Sequence, residues 1–144
     1  MKEPPHAPFT LQHLLDALHT ALAEADRRSI PSGICLVDDG GHVLLHARHP
    51  DAPIAAADSA LSKARTAVWL GADTGALPPT SPLVPALTSG VSWPVAVFPG
   101  GLVLRQHGRI VGAVGVGGST DPADDAAVAS TAAARLTGAH DANG

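Results

Sequence analysis

The sequence predicts an α+β protein built on a five-stranded, mostly antiparallel sheet flanked by helices. Two observations support this prediction. Apolar residues recur at helical spacing in long segments, and short apolar runs elsewhere are joined in pairs by glycine-containing turns. The predicted order of elements is α-β-β-α-loop-β-β-β-α, which lacks the alternation of single strands and helices that produces a parallel sheet. A chain of 144 residues is long enough to form one such domain with a buried core.

The N-terminal half is predicted to contain a helix, a hairpin and a second helix. Thr10 is a typical N-cap, and the leucines that follow it at helical spacing form one apolar face. Residues 34–37 and 42–48 are predicted strands, because the Asp-Asp-Gly-Gly sequence at 38–41 between them has the composition of a turn. Residues 54–70 are predicted to form the second helix, which is rich in alanine.

The C-terminal half begins with the least regular part of the chain. Residues 71–94 contain five prolines, which exclude a long helix or a central strand and favour a lid or binding loop. Residues 95–98 are predicted to form a short strand, and residues 102–116 a hairpin that turns at Gly108. A final helix is predicted from residue 122 to about residue 136.

The chain is predicted to form a single domain over residues 10–137, between a flexible arm at residues 1–9 and a flexible tail at residues 138–144. The net charge is −4 and the basic residues form no run, which argues against a nucleic-acid partner. No apolar run approaches the roughly 20 residues that span a bilayer, and no secretory signal is recognised at the start, so a cytoplasmic location is expected. The single cysteine, Cys35, is expected to be buried and unreactive.

Three glycines fall within the last predicted strand, at Gly112, Gly115 and Gly117. Glycine weakens a strand interior, and it usually marks the close approach of another backbone or of a ligand. Two interpretations follow. Either a helix packs across this strand at short distance, or the strand forms the floor of a pocket.

Three segments together resemble the GlcG/HbpS family of haem-binding proteins, which includes the C-terminal domain of PduO-type proteins. Residues 37–44 (VDDGGHVL) are similar to the family's V-D-x-G-G-x-L-L. Residues 60–67 (ALSKARTA) are similar to its A-x-x-K-A-x-T-A. Residues 98–101 (FPGG) and 112–116 (GAVGV) are similar to its P-G-G and V-G-A-I-G-V. The segments occur in the family's order, and the match spans roughly residues 10–136.

This resemblance implies a five-stranded antiparallel sheet, a homo-oligomeric assembly and haem as a possible cofactor. It also singles out Lys63, because the lysine of K-A-x-T-A is the family's motif residue. The sequence departs from the family after the second strand, where Arg48-His49-Pro50 stands in place of an R-M-D-G-like step.

His46 and Arg48 are the first candidates for ligand contact. They are two residues apart on one predicted strand, so their side chains share a face and could serve the same ligand. The imidazole would act as an axial ligand of haem iron or as a proton carrier, and the guanidinium would hold a carboxylate. The structural alternative is a solvated outer face of the sheet.

Lys63 and the Pro99-Gly100-Gly101 corner are the second group of candidates. If Lys63 faces the sheet, its ammonium needs a buried anionic partner, which is either a ligand carboxylate or an acid of the chain such as Asp38 or Asp58. The backbone N–H groups of the corner could bind a ligand carboxylate, or the corner could simply be a tight loop. Arg65 points about 200° away from Lys63 on the helix, so the two do not enter one pocket.

Three functions are open from the sequence. The first is a cytoplasmic small-molecule-binding protein for haem or a similar carboxylate-bearing ligand, with Lys63 or Arg48 paired to carboxylates and His46 at the iron. The second is a small enzyme of specialised metabolism on the same fold, with His46 as acid or base and Lys63 stabilising an anionic intermediate. The third is a structural oligomeric partner, because alanine-rich helices allow close subunit contacts.

Overall fold

The computed structural model describes residues 7–138, and two hairpins in it combine into one sheet. The strands are β1 (Gly33–Asp38), β2 (Val43–Arg48), β3 (Gly101–Gln106) and β4 (Arg109–Gly117). They lie in the order β2-β1-β4-β3, and each neighbouring pair is antiparallel. The central pair, β1 with β4, joins the two hairpins.

Helices cover both faces of this sheet. They are α1 (Leu11–Arg27), α2 (Ile54–Leu70) and α4 (Pro122–Ala133), and a π-helical turn (Ala134–Gly138) follows α4. A short helix, α3 (Leu83–Ser89), lies within residues 71–94, which the sequence predicts to be a loop. The helices α1 and α4 pack on one face of the sheet around the larger apolar core, and α2 packs on the other face over a smaller one. The described chain therefore has three layers, with the sheet in the middle.

The helix boundaries follow from local chemistry, as the sequence predicts. Thr10 Oγ1 accepts the backbone N–H of His13, and the His13 ring accepts the backbone N–H of Thr10, so α1 begins with a capping box. Asp121 accepts the N–H of Ala123 at the start of α4. Gly71 ends α2 in the left-handed conformation, with φ of +69°.

The prediction of a five-stranded sheet is wrong, because the sheet has four strands. The segment at residues 95–98 is not paired into it. The backbone N–H of Ala96 donates to Thr66 Oγ1 of α2 at 2.9 Å instead of to a strand carbonyl. Pro94 and Pro99 flank the segment, and proline has no N–H to contribute to a ladder. The segment therefore packs on α2.

Glycines allow α2 to lie very close to the sheet. A Cβ placed on Gly115 would lie 2.0 Å from the Ala60 carbonyl oxygen, and one on Gly33 would lie 2.4 Å from that of Ala56. A Cβ on Gly117 would also meet the Ala56 carbonyl, at 2.7 Å. Of the two interpretations of the strand glycines, close packing of a helix therefore holds for Gly115 and Gly117, whereas a Cβ on Gly112 would meet the Val37 carbonyl oxygen of β1 at 2.3 Å.

Residues 1–6 and 139–144, which make up most of the predicted arm and tail, lie outside the described residues. Phe9, at the end of the predicted arm, is buried in the larger core. Cys35 is buried as expected. Among the described residues, no helix is long and apolar enough to cross a membrane.

Candidate functional site

A groove of about 550 Å³ opens between the first half of α2 and the loop that leads from β4 into α4. Its apolar walls include Pro53 and Phe98, and its polar groups include Ser59, Lys63 and Asp125. The groove lies beside the part of α2 that is seated on the glycines of the sheet.

Lys63 lines the groove and is buried. Its side chain is 6% exposed, and Nζ donates to Asp125 Oδ2 and to the Val116 carbonyl, each at 2.9 Å. The backbone N–H of Ser119 donates to the other Asp125 oxygen at 3.1 Å. The ammonium therefore has its anionic partner within the chain, and this partner is Asp125 of α4 rather than Asp38 or Asp58.

Lys63 and Asp125 form a buried ion pair that uses only part of the hydrogen-bonding capacity of Lys63. Burial raises the pKa of Asp125, and the hydrogen bonds from Lys63 and from the Ser119 backbone act in the opposite direction. An ammonium carries three N–H groups, and the hydrogen bonds of Lys63 to residues of the described chain use two of them. Lys63 therefore has one N–H group without a partner among the described residues, and its side chain also lines the groove.

The Pro99-Gly100-Gly101 corner gives Lys63 its space. A Cβ on Gly100 would lie 2.8 Å from Lys63 Nζ, and φ at Gly100 is +129°, a conformation that glycine adopts without strain. The N–H of Gly101 donates to Thr74 Oγ1 at 2.9 Å, so this N–H is already engaged within the chain. The structure therefore brings Lys63 and this corner together.

His46 does not lie beside Lys63 and the Pro99-Gly100-Gly101 corner. The strand register places His46, Cys35, Gly115 and Gly101 in one row across the sheet. Three strand spacings, roughly 14 Å, therefore separate His46 from Gly101. His46 is exposed on the edge strand, and its Nε2 lies 2.9 Å from the Ala57 carbonyl oxygen of α2.

Arg48 has a local partner as well. Its Nη1 donates to the Ala52 carbonyl at 2.6 Å and so closes the loop that leads into α2.

The enzyme hypothesis requires His46 and Lys63 to meet at one substrate. The structure instead places His46 on β2 and anchors the Lys63 ammonium to β4 and α4.

Residues 9–134 match the family model described as haem degrading protein HbpS-like. The chain belongs to the HbpS-like family. The resemblance seen in the sequence is thereby confirmed, together with its antiparallel α+β architecture.

Proteins similar to this HbpS-like chain include two from Citrobacter freundii. One is an uncharacterized 15.0 kDa protein in the dhaT-dhaS intergenic region, 35% identical over 102 residues, which are 68% of this chain and 71% of that protein. The other is the corrinoid adenosyltransferase PduO, 31% identical over 92% of this chain. This chain matches only 40% of the length of PduO.

Two solved structures with this fold are also similar in sequence. The PduOC:haem complex superposes with a TM-score of 0.80 at 28% identity, covering 88% of this chain and 94% of that chain. A double mutant of HbpS from Streptomyces reticuli superposes with a TM-score of 0.80 at 27% identity, covering 93% and 89% of the two chains.

The groove of this HbpS-like protein provides charge and apolar surface, and the carboxylate in its lining, Asp125, is paired with Lys63. Among residues 7–138, the lining contains no histidine, cysteine or methionine. Within residues 7–138, no group of three or more histidine, cysteine, aspartate or glutamate side chains could hold a metal ion. The residues present therefore fit a carboxylate and a flat apolar face, and they do not fit iron coordination.

Sequence reasoning missed two groove residues, Asp125 and Phe98. From the sequence, Asp125 is only an acid at the positive end of a helix dipole. It lies three, four and seven residues before Val128, Ala129 and Ala132, which are all buried on the same helix, and this spacing was the available signal. Phe98 is 53% exposed beside the groove, and nothing in the sequence distinguishes it.

Proposed function

We propose that this chain is a small-molecule-binding protein that holds haem, or another flat ligand with a carboxylate, in the groove beside Lys63. The observation that carries the proposal is the buried ammonium that lines the groove and has one N–H uncommitted among the described residues. Membership of the HbpS-like family supports the ligand class, as does similarity to PduOC, whose structure is a complex with haem.

The size and chemistry of the groove suit such a ligand. Its volume of about 550 Å³ lies within the roughly 300–1,000 Å³ that is typical of ligand pockets. Phe98 presents an aromatic ring beside the groove, and aromatic rings pack well against flat conjugated molecules. A ligand carboxylate would share the Lys63 ammonium with Asp125 in a charge-assisted hydrogen bond.

The iron contributes little to affinity in this proposal, because no histidine, cysteine or methionine among residues 7–138 lines the groove. Bound haem would supply its own redox chemistry. The chain's part is to pair with a carboxylate through Lys63 and to cover one face of the ring with Phe98. His46 is therefore not part of the proposed binding groove.

The test compares haem with protoporphyrin IX, which has the same ring and carboxylates but no iron. We expect absorbance titrations to give dissociation constants within about threefold of each other. Ala55 is exposed on α2 and lines the groove, so Ala55→Trp should fill the groove and weaken both ligands by about tenfold or more. Ala23→Trp, at an exposed position on α1, is the matched control and should bind like the wild type.

Two results would overturn the proposal. If Ala55→Trp binds both porphyrins like the wild type, the ligand does not occupy this groove. If haem binds more than about tenfold tighter than protoporphyrin IX and His46→Ala abolishes that difference, iron coordination by His46 carries the binding. The second result would restore the role that the sequence analysis gave to His46.

The assembly and the location stay proposals. Exposed apolar side chains at Val43 and Leu44 on the edge strand β2, and at Ile54 at the start of α2, support a homo-oligomer. Light scattering measures the assembly, and we expect a mass above that of one chain. The cytoplasmic location is tested by cell fractionation.

A further inference from the structure

A second groove, of about 270 Å³, lies beside the turn between β1 and β2. It is lined by Asp39 and Gly41 of the turn, by Arg65 and Trp69 of α2, and by Trp93. None of its lining residues lines the groove beside Lys63. It is therefore a separate place on the molecule, and the function proposed above does not use it.

Both tryptophans of the chain meet in this groove. The sequence contains two Trp, two Phe and no Tyr, so half of its aromatic side chains are concentrated here. The ring centroids of Trp69 and Trp93 lie 5.5 Å apart at an interplanar angle of 76°, an edge-to-face arrangement. Trp69 remains 41% exposed, so a further aromatic ring can pack against it from the groove.

Arg65 supplies a positive charge with unused donors. Its Nε donates to the Gly41 carbonyl at 3.4 Å, which holds the half-buried side chain against the turn. Neither Nη atom finds an acceptor in the part of the chain that the structure describes. A guanidinium in this state presents the planar pair of N–H groups that binds a carboxylate at two points.

Asp39 supplies the opposite charge on the same groove. The adjacent Asp38 has its Oδ1 engaged by the N–H groups of Gly40 and His42, so it is committed to the turn itself. Asp39 is exposed and lines the groove. Its carboxylate repels a purely anionic ligand and attracts an ammonium.

We infer that this groove binds a small aromatic zwitterion, the chemistry of an aromatic α-amino acid. The ligand carboxylate pairs with Arg65, the ligand ammonium lies near Asp39, and the ring packs against Trp69 and Trp93. The groove volume of about 270 Å³ lies just below the roughly 300–1,000 Å³ of pockets for drug-sized ligands. A molecule with one ring and one short charged group is therefore the expected size.

Tryptophan fluorescence gives a direct readout, because both tryptophans line the groove and the chain has no tyrosine. The probes are L-phenylalanine, phenylacetate, which lacks the ammonium, and phenethylamine, which lacks the carboxylate. We expect a saturable change with L-phenylalanine, at a dissociation constant at least about tenfold lower than with either of the other two.

Variants assign the two charges separately. Arg65→Gln should weaken L-phenylalanine to the level of phenethylamine and leave phenethylamine unchanged. Asp39→Asn should weaken L-phenylalanine to the level of phenylacetate. Arg65→Lys keeps the charge without the planar pair of donors, so it should give an intermediate affinity. Arg109→Gln, at an exposed arginine of β4 outside the groove, is the control and should bind like the wild type.

Two results would overturn the inference. They are the lack of a saturable change with any probe at millimolar concentration, and equal binding of all three probes. Far-UV circular dichroism and an unchanged porphyrin titration of Arg65→Gln show that a weakened variant is folded and that the groove beside Lys63 is intact.

Discussion

Replacing Lys63 by methionine should leave a buried carboxylate without its partner. In the wild type, Lys63 Nζ and Asp125 Oδ2 are 2.9 Å apart, and the two side chains are 6% and 3% exposed. Methionine has a flexible apolar side chain of similar length, so the packing of α2 on the sheet changes little. Asp125 then keeps the hydrogen bond from the Ser119 backbone and loses its counter-charge.

The expected size of the effect follows from this burial. Removing one partner of a buried ion pair typically destabilises a protein by about 3–5 kcal/mol. For a domain of this size, each kcal/mol lowers Tm by about 2–4 °C, so we expect a fall of roughly 6–20 °C. The double variant Lys63→Met with Asp125→Leu removes both charges, and it should return to within about 2 kcal/mol of the wild type.

The same substitution should also change the pH dependence of stability. Burial already raises the pKa of Asp125, and the loss of Lys63 removes the group that opposes this rise. A carboxyl whose pKa is higher in the folded state binds more protons there, so the stability of the variant increases as the pH falls. The loss of unfolding free energy in Lys63→Met, relative to the wild type, should therefore be smaller near pH 5 than near pH 8.

Urea denaturation followed by far-UV circular dichroism measures each free energy of unfolding. Arg109→Met removes an exposed cation of β4 and should lie within about 0.5 kcal/mol of the wild type. A loss below about 1 kcal/mol for Lys63→Met would refute the structural role of the pair. Equal instability of the single and the double variant would refute the claim that the unpaired carboxylate of Asp125 is the cause.

Three further predictions concern the sheet and its turns. Gly115→Ala places a Cβ 2.0 Å from the Ala60 carbonyl oxygen, so it should destabilise the protein by more than about 3 kcal/mol in urea denaturation. Gly90→Ala, where the atom nearest to the new Cβ would lie 3.4 Å away, should have an unfolding free energy within about 1 kcal/mol of the wild type. A similar loss of stability in both variants would contradict the close packing of α2 on Gly115. Burial raises the pKa of Cys35 to about 12, so thiol reagents at neutral pH should label it only as fast as the protein opens; labelling at the rate of free cysteine would disprove its burial. Burial acts to raise the pKa of Asp38, but two backbone hydrogen bonds of its turn and a nearby histidine outweigh this effect and lower the pKa. The contribution of Asp38 to stability is therefore present above the pKa of an aspartate in the unfolded chain, about 3.9, and is lost as the pH falls further, so acid titration of Asp38→Asn should show a smaller loss than the wild type.

The local elements were predictable because each is encoded by neighbouring residues. The capping box at Thr10 and the left-handed Gly71 set helix ends within a few residues of sequence. The prediction of a strand at residues 95–98 was wrong because a strand also depends on distant residues. It needs a neighbouring strand whose outer backbone N–H and C=O groups are free. The edge of β3 is already engaged, since the N–H of Gly101 donates to Thr74 Oγ1 and that of Val103 donates to Asp73 Oδ1.

The sequence alone determined the family and the α+β class with an antiparallel sheet, but not the number of strands, because the class and the family depend on periodicity and on short motifs. Only the tertiary structure decided that Lys63 pairs with Asp125, 62 residues later in the chain, and that His46 lies three strands away from Gly101. The physical reason is that a buried charge is paired by whichever opposite charge the packing of the helices on the sheet brings within hydrogen-bond distance. No local pattern encodes that distance.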